Sequence, residues 1–182
     1  METGSLLLRG ATLLTQNDEL GEFRGDLLVR GELIAGIAPR LEADATEVVD
    51  ARDLIVMPGL IDTHRHTWQS ALRHIGLGWD LRQYLFDFYF QVGARYTPDD
   101  VYWGTLLGAM TALDAGITTL RDQSNIQNSP AHADAAIQAL RDAGIRAVFD
   151  HGWPANRRAW LALSQHPRTC PRHCAAASRC SA

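Results

Sequence analysis

Lysine is absent from this chain. All 17 cationic side chains are arginine, so a carboxylated lysine bridging two metal ions is excluded, and the bias itself reads as codon usage rather than chemistry. Cysteine is scarce and confined to one place. Cys170, Cys174 and Cys180 all fall near the C-terminal end, which leaves residues 1–156 with neither thiol chemistry nor a disulfide framework. No apolar run approaches the ~18 residues of a membrane span. The opening Met1-Glu2-Thr3-Gly4-Ser5 carries no basic side chain, and the Leu6–Leu8 run is too short for a secretory segment, so a cytoplasmic protein without membrane contact is expected. Positive charge is not in excess: a net charge of −4 offers nothing to attract nucleic acid. What remains, with 46% hydrophobic and 21% charged residues over 182 positions, is the composition of a globular protein with chain enough for a sizeable core.

The most informative feature present is His64-Arg65-His66, directly after the apolar run Leu54–Ile61. In a β-strand, residues two apart face the same side. Both imidazoles can then leave a strand end together and share one metal ion, with Arg65 pointing the other way. Taken alone, the spacing serves a satisfied structural pair as readily as a ligand pair.

Residues 1–57 read as short strands broken by turns. Ser5–Thr15 is rich in Leu, Leu27–Arg30 and Leu33–Ile37 flank Gly31, and Glu47–Asp50 precedes Leu54–Met57; the pattern predicts a small β-sandwich. From Trp68 to Tyr96 the chain is aromatic, and a pair of packing helices is expected there, although Trp68 and Gln69 follow the histidines closely enough to touch a substrate. Thr97-Pro98-Asp99-Asp100 starts a helix: Thr caps, Pro suits the first helical position, and two acids sit at the positive end. Trp103, Leu106, Leu107, Met110 and Leu113 recur at helical spacing and predict the core-facing side of that helix, with Gly116 as its stop. Ile117–Asp122 reads as a strand whose terminal Asp122 serves as a cap or supporting acceptor rather than a ligand. Pro130 opens a second helix bearing Ala133, Ala136, Ile137 and Leu140, ended by Gly144. Ile145–Asp150 is a third strand carrying His151 at its tip, a structural histidine or a substrate contact.

Beyond Asn156 the composition changes. Residues 157–182 hold all three cysteines and five arginines but no acid, and no further strand is legible. Cys170, His173, Cys174 and Cys180 match no trusted zinc spacing. The expectation is an irregular tail, produced by a change of reading frame near Arg157.

The string Pro58-Gly59-Leu60-Ile61-Asp62-Thr63-His64-Arg65-His66 resembles the opening of the barrel in the amidohydrolase superfamily of metal-dependent hydrolases. With Ser70-Ala71-Leu72-Arg73 behind it, the segment is similar to the cytosine deaminase-like and triazine hydrolase branch, and Gly116-Ile117-Thr118-Thr119 resembles that family's second barrel strand. The chain departs from the pattern in having Asp53 and His74 where glycine is usual, and Thr111 where a Glu is common.

The resemblance implies an α/β fold. A small N-terminal β-sandwich at 1–57 would precede, at 58–156, the first three βα units of a (β/α)₈ TIM-type barrel. A full barrel takes ~250 residues, so a C-terminally truncated member is expected. The resemblance further implies one divalent metal ion, zinc or iron, with His64 and His66 as ligands and weak retention, because two further histidines and a proton-accepting Asp lie on strands not present. Trp68, Gln69 and His151 would be substrate contacts, and the catalytic acid–base residues stay unknown. The implied activity is hydrolysis of a non-peptide carbon–nitrogen bond in a nitrogen heterocycle or amide, with a small-molecule substrate and oligomers as in the full-length family. The alternative is a catalytically inactive fragment. A stand-alone sandwich acting as a binding module is disfavoured, since the chain after Met57 alternates helix and strand patterns.

Overall fold

The computed structural model describes residues 4–155. The tail at 157–182, with its cysteines and the expected frame change, lies outside the described residues. Residue contacts divide the chain between Pro58 and Gly59.

In the first unit, β1 (Ser5–Leu14), β2 (Glu22–Arg30), β3 (Leu33–Ala38), β4 (Glu47–Asp50) and β5 (Ile55–Val56) fall where the β-branched and Leu-rich runs predict strands. They form one mixed sheet, ordered β3-β2-β1-β4, with β5 also on β1. β1 runs antiparallel to β2 but parallel to β4 and β5. Of the sandwich portion expected at 1–57, the described residues form one layer. β1 hydrogen-bonds along both of its sides, so all five strands join a single layer rather than two facing ones. Gly10, at φ +72, sits where the β1–β2 register shifts, and a residue with a Cβ would be strained there. Asp53 does not take a left-handed backbone; the turn is closed instead by a 2.9 Å hydrogen bond from the Leu54 amide to the Ala51 carbonyl.

The second unit is a mixed α/β assembly. β6 (Leu60–Arg65), β7 (Ile117–Ser124) and β8 (Arg146–His151) form a parallel sheet in sequence order, and α2 (Pro98–Asp114) and α3 (Pro130–Ala143) are the intervening helices. Thr97 caps α2 as its residue type predicts: its hydroxyl accepts from the Asp100 amide, and the Asp100 carboxylate accepts from the Thr97 amide at 2.8 Å. Gly144 closes α3 in a left-handed conformation.

Two expectations fail in this unit. The apolar stripe on α2 does not face the core. Trp103 is 64% and Met110 56% exposed, whereas Val101, Gly104, Thr105, Gly108, Ala109 and Ala112 are buried. A Cβ on Gly104 would lie 2.3 Å from the Trp68 carbonyl oxygen, so the helix approaches on its small side and its large residues are turned outward. Nor does Trp68–Tyr96 form two regular helices. It contains a 3₁₀ segment at Thr67–Leu72, the single turn α1 (Leu81–Gln83) continuing into a wide π-type turn at Tyr84–Tyr89, and a 3₁₀ turn at Gly93–Arg95. Aromatic packing organises this stretch. Trp68, Phe88 and Tyr89 are buried with Val101 and Ile126, and Tyr84 and Tyr96 pack against them. Among the described residues, no helix is long and apolar enough to cross a membrane.

Candidate metal centre

β6 carries the histidine pair to the C-terminal end of its strand, and the next residues turn at once into the 3₁₀ segment. His64 is exposed and His66 half-buried. Their ring centroids are 5.0 Å apart, with ring planes at 87°. Two imidazoles bound tetrahedrally to one ion, with a metal–nitrogen distance of about 2.1 Å and ~1.1 Å more to each ring centre, hold their centroids about 5 Å apart. The observed centroid spacing matches that of such a pair.

His66 is also oriented. Its Nδ1 lies 2.7 Å from the backbone carbonyl of Gln123 at the end of β7. A carbonyl only accepts, so Nδ1 carries the proton and the Nε2 lone pair is left for a ligand bond. Among the described residues, no three His, Cys, Asp or Glu side chains gather closely enough to hold a metal ion. The donor set is thus half of a coordination sphere.

Both histidines line a cavity of about 600 Å³, shared with Asp62, Arg65, Gln69, Arg73, His74, Trp79, Tyr84 and Phe88 among others. Arg65 is a correction, since strict alternation points it away from the histidines. The β6–β7 register slips between Asp62 and Arg65, and such a bulge breaks the period of two. The Arg65 guanidinium reaches the Asp62 carboxylate at 3.3 Å, and the same carboxylate accepts from the His64 amide at 3.1 Å.

Gln69 donates to the Tyr84 hydroxyl at 2.6 Å. Burial pushes that hydroxyl up from the usual phenol range, so it stays protonated at neutral pH. Trp68 is a second correction. It has no exposed surface, stacks on Phe88 at 5.6 Å and donates through Nε1 to Asn125 at 2.7 Å, so it belongs to the core and does not line the cavity. His151 stands at the tip of β8, paired in register with Ser124, and is also not among the lining residues.

Asp122 is wholly buried. Its Oδ1 accepts from both the amide and the hydroxyl of Thr67. Burial pushes this carboxyl up, against the hydrogen bonds it accepts from Thr67. His74 occupies its glycine-like position with φ +71, the left-handed backbone that glycine would favour. The sequence offered no signal for the Gln123 carbonyl, because any residue type presents one. Tyr84 and Trp79 were legible only as aromatics.

A model described as the amidohydrolase family matches residues 55–178, so the likeness continues past Asn156. The chain is 32% identical over 165 residues to a 5-methylthioadenosine/S-adenosylhomocysteine deaminase of Caldicellulosiruptor saccharolyticus, covering 88% of this chain and 37% of that protein. It is 30% identical to a 5′-deoxyadenosine deaminase of Methanobrevibacter smithii, covering 84% of this chain and 34% of the relative. The chain thus spans about a third of the length of these curated relatives. A zinc-bound adenosine deaminase from Xanthomonas campestris shares the fold, with a TM-score of 0.65 at 22% identity over 91% of this chain and 40% of that one. Members of the family bind a divalent metal. This chain, with its histidine pair at the end of a parallel strand, belongs to the amidohydrolase family.

Proposed function

We propose that this chain contributes the first two metal ligands, His64 and His66, of a metal-dependent hydrolase acting on carbon–nitrogen bonds, with deamination of a nitrogen heterocycle as the reaction class. The observation that carries the reading is the 5.0 Å ring spacing, together with the Gln123 carbonyl that sets the His66 tautomer. A bound divalent ion, zinc or iron, supplies Lewis acidity and water acidified toward neutral pH. The chain's own residues hold and orient. The two imidazoles would donate nitrogen lone pairs to the ion, the Gln69 amide and Tyr84 hydroxyl form a polar tip beside them, and Trp79 and Phe88 supply flat apolar wall suited to a planar ring. Residues 58–156 are read as the opening βα units of a TIM-type barrel, and residues 1–57 as strands of the accompanying β-sandwich.

The alternative, an inactive fragment, is favoured for the isolated chain by one observation: among the described residues no third ligand joins the histidines. Two ligands leave half a tetrahedral site to solvent, so metal is expected to bind weakly and exchange. The test is cobalt(II) titration followed by visible absorption, run beside an ammonia-release assay with adenosine-type nucleosides. Weak binding that His64→Ala and His66→Ala abolish, with no ammonia, is the expected result. Stoichiometric zinc surviving chelator dialysis, together with turnover, would overturn the fragment reading. Binding indifferent to both substitutions would overturn the ligand assignment.

A further inference from the structure

We propose that Asp122 is a positioning residue for the histidine pair, acting through Thr67; the inference rests on the ligand reading of His64 and His66. Thr67 is the residue immediately after His66, and Asp122 grips it twice through Oδ1, at the amide (3.1 Å) and at the hydroxyl. The next residue of β7, Gln123, holds the His66 ring itself through its carbonyl. Two consecutive residues of one strand therefore restrain the backbone leaving His66 and the rotation of its imidazole. The opposite side of Thr67 is closed by α2: a Cβ at Gly108 would stand 2.8 Å from the Thr67 carbonyl oxygen and 2.5 Å from the Ser70 hydroxyl. Thr67 is thus caught between a carboxylate and a glycine notch, with no exposed surface of its own.

A cap on a strand end would not need a carboxylate. Here an ionisable carboxyl is taken fully out of water, and its Oδ2 has no hydrogen-bond partner among the described residues. Burying such a group with one oxygen unsatisfied costs free energy that a purely structural strand cap would not require. The adjacent element that requires placement is the His66 ring, because a ligand imidazole whose orientation is released binds metal more weakly.

The experiment compares metal affinity with stability in the full chain. Cobalt(II) and zinc(II) titrations and urea unfolding are run on the wild type and on Asp122→Ala, Asp122→Asn, Thr67→Val and Thr67→Ser, with Leu140→Ala as a core lesion remote from the histidines. Asp122→Ala and Thr67→Val are expected to weaken metal binding about 10- to 100-fold. Thr67→Ser, which keeps both donors, stays within about threefold of wild type, and Asp122→Asn, which keeps an acceptor, is intermediate. Leu140→Ala lowers the urea midpoint and leaves metal affinity unchanged. Should Asp122→Ala fail to fold, the Thr67 pair decides. If Asp122→Ala or Thr67→Val binds cobalt as the wild type does while His66→Ala does not, the positioning role is wrong and the ligand reading stands. If His66→Ala also binds as the wild type does, the ligand reading falls first.

Discussion

Asp26 shows how a single carboxylate can organise a strand bend. Its Oδ1 accepts from the Gly10 amide at 2.9 Å, and its Oδ2 from the Leu41 amide at 3.0 Å and the Arg9 guanidinium at 2.9 Å. Burial pushes this carboxyl up, but the two amide hydrogen bonds and the Arg9 charge together hold it below the ordinary carboxylate range. The sign of the linkage follows. A folded-state pKa below the unfolded value means that the ionised form stabilises the fold above about pH 4 and that this contribution is lost as pH falls through the lower folded value. Asp26→Ala is expected to cost about 3 kcal/mol at pH 7 by urea unfolding, because it strands two amides and a guanidinium. The cost should shrink on acidification below about pH 4. A pH-independent cost would show that packing rather than charge holds the bend. His74 was only partly legible at the same scale: a histidine in a glycine position left the local turn open, and the backbone is left-handed there. Trp68 was not. A large aromatic two residues after a ligand suits a pocket wall or a core equally, and only its contacts with Phe88, Tyr96 and Asn125 separate the two.

At the scale of elements, α2 carries the clearest divergence between pattern and packing. Its cap, its Pro98 start and its end before Gly116 were all readable, since each depends on neighbours within a few residues. Its buried face was not. Gly104, Gly108 and Ala112 repeat every four residues while the large residues recur at helical spacings of three and four, and hydrophobicity alone favours the wrong stripe. Close backbone approach to Thr67 and Trp68 selects the small one. Trp103→Gln is therefore expected to change stability by less than about 0.5 kcal/mol, whereas Gly104→Ala should cost about 1–3 kcal/mol despite alanine's better helix propensity. Thermal or urea denaturation of the two variants checks the assignment. Equal effects, or the reverse order, would restore the large stripe to the core.

For the whole molecule, the decisive fact is how much sheet is left one-sided. Among the described residues, β6 and β8 each pair only with β7, and Ile61 and Val148 on them are 68% and 56% exposed. An apolar edge of parallel strand recruits further strands, so the isolated chain should self-associate. Ile61→Lys and Val148→Lys are expected to reduce light scattering at equal concentration without lowering the melting temperature; unchanged scattering would place the sticky surface elsewhere, on the outward face of α2 for example. Sequence by itself determined the parallel βα rhythm, the helix ends, the family and the two histidines on a strand tip, because these depend on spacing along a few neighbouring residues. Only the tertiary structure decided which face of α2 is buried, that Trp68 is core, and that Gln123 and Asp122 hold His66 and Thr67. Those pairs lie 57 and 55 positions apart, and no local periodicity reports a hydrogen bond made across neighbouring strands.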